Sequence, residues 1–149
     1  MSPRQIRLPE EIRVQIRKHA LEAYPAESCG LLFGRIRGEE AEILQALSVD
    51  NRCEDDSRNT HYRMDPLTIY KLEQSFEEEG LMLIGFYHSH PDRTGLASKE
   101  DIREMIPKQI YLIQSVRNGS CSELSAWIKI TEGETDDEGD GIRNPAIVF

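Results

Sequence analysis

"LMLIGFYHSHPDRTGLASKED", residues 81–101, runs from the longest apolar segment of the chain straight into its densest set of reactive polar side chains. The part up to Tyr87 is continuously apolar, the pattern of a strand covered on both faces. Side chains alternate along a strand, so His88 and His90 project to one face and Ser89 to the other. Two strand residues at that spacing stand about 6.5–7 Å apart at Cα, so their imidazoles can converge on one ion. Pro91 is expected to stop the strand. "SKED" then fits a helix start of the form Ser/Thr-x-x-Asp/Glu, with Ser98 as cap and Asp101 in the first turn. Capping alone accounts for that pattern, and it needs no metal. The combination says more. A strand end with two histidines faces a helix start with a carboxylate, a set that leaves one tetrahedral position open for water, as catalytic zinc sites do. Iron and manganese also accept such ligands, so zinc is favoured without being fixed.

Working outward, residues 9–24 read as a helix with Ile12, Ile16, Ala20 and Tyr24 on one stripe and His19 off it, in solvent. Residues 29–38 and 41–49 read as two strands around the turn "RGEE". Residues 50–63 are polar and aperiodic, a long loop of the kind that shapes or gates a site. Residues 65–80 carry helix punctuation: Asp65 as N-cap, Pro66 in the first turn, Gly80 as stop. Ile69, Leu72 and Phe76 form its buried stripe. A helix over 98–106 ends at Pro107, and strands over 109–116 and 122–130 flank "RNGS". An acidic loop follows at 131–141, and "NPAIVF" is a tail or a short edge strand. The order α-β-β-α-β-α-β-β predicts a single-domain α/β protein over 1–149, a mixed sheet flanked by helices.

The 149 residues include 18 basic and 27 acidic side chains, a net charge of −9. That balance argues against nucleic acid and against anionic membranes as partners. There is no membrane-length apolar run and no signal-peptide core, so a cytoplasmic protein is expected. Cys29, Cys53 and Cys121 form no CxxC pair and are expected as free thiols, Cys29 buried and Cys53 the more exposed. Other histidine-pair chemistries fit poorly. HExxH is absent, as is the deaminase pattern with P-C-x-x-C. A metallohydrolase barrel needs about 250 residues. A small cupin is all-β, against which the helices argue.

With these residues in view, "HSHP" followed after seven residues by Ser98 and after two more by Asp101 resembles the JAMM motif of the MPN metalloprotease family. "YPAESCGLLFG" (24–34) resembles the family's upstream element and makes Glu27 the matching glutamate, a choice that chemical type alone does not make over Glu22, Glu42, Glu54 or Glu100. "HYRMDP" (61–66) resembles the stretch before the second long helix of bacterial members. Ala97 departs from the proline frequent there. The resemblance implies zinc held by His88, His90 and Asp101, Glu27 as general base, and Ser98 as oxyanion donor. Ser89 points away and has a supporting role at most; His61 reads as a surface-loop histidine that can line the cleft. The short chain is similar to prokaryotic members, which implies a protease acting after the C-terminal tail of a ubiquitin-like or sulfur-carrier protein. A non-catalytic binding module is the alternative. Apolar strand edges permit a homodimer.

Overall fold

The structure, a computed structural model, describes residues 2–130 and 141–149. Its elements in chain order are β1 (Gln5–Arg7), α1 (Glu10–Ala23), β2 (Cys29–Arg37), β3 (Glu40–Val49), a 3-10 turn (Asp55–Asn59), α2 (Pro66–Glu77), β4 (Met82–Pro91), α3 (Lys99–Glu104), β5 (Ile110–Arg117), β6 (Ser120–Lys129), β7 (Ile142–Arg143) and β8 (Ala146–Val148). The expected order of long elements is present, "NPAIVF" forms the short edge strand β8, and two short strands, β1 and β7, are added. The expected acidic loop lies, apart from Gly141, outside the described residues.

The eight strands form one mixed sheet in the order β7-β6-β5-β4-β2-β3-β1-β8. β4 is interior, antiparallel to β2 and parallel to β5. The parallel pair needs a crossover, and the segment carrying α3 supplies it. β2–β3 and β5–β6 are the two antiparallel hairpins. β1 pairs in parallel with both β3 and β8. β8 also approaches β6, so the sheet curls, and α1 packs inside the curl against β3, β4, β5 and β6.

Ile12, Ile16 and Ala20 of α1 are buried as their spacing predicts, Ile12 and Ile16 in one cluster with Leu32, Ile43, Leu112 and Ile128 of the sheet. Each such fully buried aliphatic side chain contributes roughly 1.5–3 kcal/mol of transfer free energy. The other face packs Leu31, Phe33, Phe86 and Tyr111 against α2 and α3. Phe33 stacks on Phe76 with centroids 4.5 Å apart. Cover here is thinner. No residue of α2 or α3 is fully buried, and Ile69, Leu72 and Phe76 are only partly covered. Asp65 caps α2 as expected, accepting from Leu67 N at 3.1 Å.

β4 does end at Pro91 as expected, with Pro91 still paired to Val116, and the chain turns at Asp92, whose φ is 56°. Aspartate tolerates this left-handed conformation better than most residues. Several expectations are corrected. The third helix is shorter than 98–106, because Ile106 precedes Pro107 and such residues avoid helical geometry. His19 is not a solvated residue: it is half-buried, and its Nδ1 lies 2.7 Å from the Tyr87 hydroxyl. Gly30 explains this contact. A Cβ there would sit 2.1 Å from Tyr87 Cε2, so only glycine lets the ring lie across β2 and reach α1. Tyr24 falls beyond α1, whose last residue is Ala23. Cys29 is buried, with its thiol pushed up to about 12 by burial, and Cys53, half-buried, is the more exposed of the two, both as expected.

Candidate active site

β4 delivers His88 and His90 to the face that α2 and α3 cover incompletely. Both rings are buried, and their Nε2 atoms are 3.2 Å apart. Asp101, in the first turn of α3, places Oδ1 3.3 Å from His88 Nε2 and Oδ2 2.9 Å from His90 Nε2. One ligand-capable atom from each of the three residues lies within 4.8 Å of the other two. The capping box is fully formed: Asp101 N donates to Ser98 Oγ, and Ser98 N donates to Asp101 Oδ2, both at 2.9 Å. The cap therefore aims the carboxylate at the histidines. Capping and ligation are one geometry here, and the two readings of "SKED" are compatible.

The donor set suits a divalent metal. Two imidazole nitrogens and one carboxylate converge, and His90 Nδ1 lies 2.8 Å from Thr94 O, which directs Nε2 inward. Burial lowers the pKa of His88 and favours the neutral ring that a metal requires. At Asp101 burial works upward, but hydrogen bonds from His88 and His90 win and hold the carboxyl well below the usual range. The site thus presents a neutral His88 ring and an ionised Asp101 oxygen.

Glu27 precedes β2 and is 3% exposed. Its position follows from the sheet. Ser28 N donates to Ser89 Oγ at 2.8 Å, and Ser89 N donates to Ser28 O at 3.1 Å. Ser89 does face away from His88 and His90, and it ties the backbone beside Glu27 to β4. The segment 50–63 grips the same residue: Glu27 N donates to Arg58 O at 2.6 Å, and Asn51 Nδ2 donates to Glu27 O at 3.1 Å. Glu27 Oε2 accepts from an Arg93 guanidinium nitrogen at 2.6 Å. Burial pushes the Glu27 carboxyl up to about 8, with Arg93 pulling against it.

Glu27, Ser98 and Asp101 line one cleft of about 630 Å³. Its floor is apolar, with Met64, Ile69, Phe86, Ile106 and Tyr111; its rim includes His61 and Glu100, joined at 2.9 Å. His61 is exposed as expected and also borders the cleft. Two site residues escaped the sequence reading. Arg93 meets a partner 66 positions away, and no spacing rule reports that. Tyr62 stacks on the His88 ring at 4.5 Å from within an aperiodic loop. Its neighbour to His61 in "HYRMDP" was the only signal.

The comparisons with known proteins identify a family and a fold. The family model for prokaryotic homologs of the JAB domain matches residues 9–129. A probable TtuB-protein conjugate cleaving protease of Thermus thermophilus is 34% identical over 113 residues, 74% of this chain and 72% of that one. A desampylase of Haloferax volcanii is 31% identical over 120 residues, 77% of this chain and 84% of that one. A Desulfitobacterium hafniense protein solved in solution superposes with a TM-score of 0.77 at 26% identity, covering 96% of this chain and 91% of that one. A Salinibacter ruber protein gives 0.67 at 29% identity, covering 99% and 90%. With the family model spanning most of the sequence, the chain belongs to the prokaryotic homologs of the JAB domain, the JAMM/MPN family.

Proposed function

We propose that the chain is a zinc metalloprotease that hydrolyses the peptide or isopeptide bond after the C-terminal tail of a ubiquitin-like or sulfur-carrier protein. The convergence of His88, His90 and Asp101 beside a cleft that also holds Glu27 carries this reading. The names of the relatives support the substrate class, since they cleave protein conjugates or are desampylases.

His88 Nε2, His90 Nε2 and an Asp101 oxygen would hold the ion. When bound, zinc polarises the scissile carbonyl and lowers the pKa of a water towards ~7. Glu27 takes a proton from the attacking water on a carboxylate oxygen and passes it to the leaving amine nitrogen. A carboxyl whose pKa is raised towards neutrality moves a proton in both directions at working pH. Arg93 holds Glu27 in place and limits that rise, so part of the population stays ionised. Ser98 Oγ accepts the Asp101 N–H through one lone pair, which leaves its O–H to donate to the developing oxyanion. Ser89 acts only through the backbone of Ser28.

A carrier tail ending in glycines is slim enough to run extended past these groups. An apolar side chain of the tail can meet Phe86 and Tyr111 in the cleft. Segment 50–63 forms one wall.

The test is incubation of the zinc-loaded protein with ubiquitin-like carriers bearing C-terminal extensions, read by mass spectrometry. Cleavage after the native tail is expected, and Glu27→Gln should keep zinc yet cleave about 10²–10⁴-fold more slowly. Full activity in that variant would remove Glu27 from the mechanism. Zinc binding without cleavage of any carrier would leave a binding module instead.

A further inference from the structure

A histidine that holds a metal is ordinarily oriented through its other ring nitrogen, which donates to a carbonyl or carboxylate. His90 follows this pattern, with Thr94 O at 2.8 Å from Nδ1. His88 does not. Its Nδ1 is buried and has no hydrogen-bond partner among the described residues. Something else must set the rotation of this ring, because β4 fixes only where it is rooted.

Tyr62 lies against it. The two rings stack with centroids 4.5 Å apart and planes 27° from parallel. Tyr62 is itself held on both sides. Asn51 Nδ2 donates to His61 O at 2.9 Å, and Arg63 N donates to Asn51 Oδ1 at 3.3 Å, so one side chain brackets the tyrosine. His61 Nε2 lies 2.9 Å from Glu100 on α3. A ring braced in this way resists rotation of the ring it covers.

We propose that Tyr62 is a positioning residue of the metal centre, its ring face doing for His88 what the hydrogen bond to Thr94 does for His90. The proposal rests on the reading of His88, His90 and Asp101 as metal ligands. It makes segment 50–63 part of the metal site and not only a cleft wall. Tyr62 also lines the cleft, so a bound substrate touches the group that orients His88.

The experiment compares the full-length protein with its Tyr62→Phe, Tyr62→Leu and His88→Ala variants. Zinc affinity is read by competition with a fluorescent chelator, and the His88 ring proton shifts by NMR in the metal-free state. Tyr62→Phe keeps the ring and should bind zinc within about twofold of wild type, with the ring-current shift of His88 intact. Tyr62→Leu should bind about tenfold or more weakly, the scale of lost outer-shell support, and lose that shift. Wild-type affinity in Tyr62→Leu overturns the proposal. So does equal weakening in Tyr62→Phe, which would assign the effect to the hydroxyl. Should Tyr62→Leu not fold, Tyr62→Met fills the same space with a flexible chain and is read the same way. Retention of zinc by His88→Ala would instead overturn the ligand assignment on which the proposal stands.

Discussion

Tyr87 and His88 are neighbours on one strand, both buried, and they meet opposite fates. Tyr87 faces α1, a helix of 14 residues that lies across four strands and closes that face. Its hydroxyl finds His19, and the contact ends there as packing. His88 faces α2 and the six-residue α3, which leave a cleft between them. The same sheet is thus dry core on one side and candidate chemistry on the other. The difference lies in how much helix covers each face. Reactive residues sit where cover is thin enough for substrate to enter and thick enough to bury two imidazoles.

The largest effect expected on this contrast comes from His90→Ala. It should abolish stoichiometric zinc binding and cleavage while the metal-free fold, read by circular dichroism, persists; retained zinc would show that the open face is not a metal site. Next is a pair of core truncations. Ile16→Ala, on the closed face, should cost about 2–5 kcal/mol in denaturant unfolding, whereas half-buried Ile69→Ala should cost about half of that or less. Equal losses would erase the asymmetry between the faces. Ser98→Ala separates cap from catalysis: stability should fall by roughly 0.5–2 kcal/mol, and turnover by about 10²–10³-fold at saturating zinc. A turnover loss explained by the unfolded fraction would leave Ser98 as a cap alone.

A final test is one of pH. The folded pKa of Glu27 is raised from 4.5 to about 8, chiefly by burial, so the fold holds that proton more tightly than the unfolded chain does. The resulting stability is complete below pH 4.5 and is lost as pH rises towards about 8. His88 and Asp101 have lowered pKa values and follow the opposite trend, so the informative quantity is a difference. Metal-free wild type should lose melting temperature relative to Glu27→Gln across that window. Parallel curves would mean that Glu27 titrates like an exposed carboxylate.

The long elements were legible because their signals are local. The unbroken apolar run before His88 announced a strand buried on both faces, and period-two alternation put the histidines together. The capping pattern placed Asp101 in a first turn. Glu27 was not legible from chemistry, because what distinguishes it from the other glutamates is tertiary: Ser89 on β4, and Asn51 and Arg58 on a distant loop. The family resemblance pointed to Glu27, and the fold brings it to the cleft. β1, β7 and β8 span only two or three residues each, too short for any periodicity. Segment 50–63 lacked periodicity because much of its order comes from the Asn51 side chain, which bonds to four backbone groups within and beside it. His19 was misjudged because its partner is reached only across Gly30.

The parallel pair β1–β8 aligns Gln5 with Ala146 and Arg7 with Val148, the greatest sequence separation of any strand pair in the sheet. Contacts that close such long loops form slowly, because chain entropy is lost before the contact rewards it. During synthesis, every candidate ligand and the strands around it, through β6, are made before β8. The half of the sheet that carries His88 and His90 can assemble while β1 still has an unpaired outer edge. In pulse-labelling refolding experiments, the amides of Ile6 and Ile147 should gain protection after those of Phe86 and Leu112; simultaneous protection would place the seam in the folding nucleus. Late closure leaves a folding chain with its His88 and His90 strand in place, and open to strand exchange with a neighbour, before it is sealed.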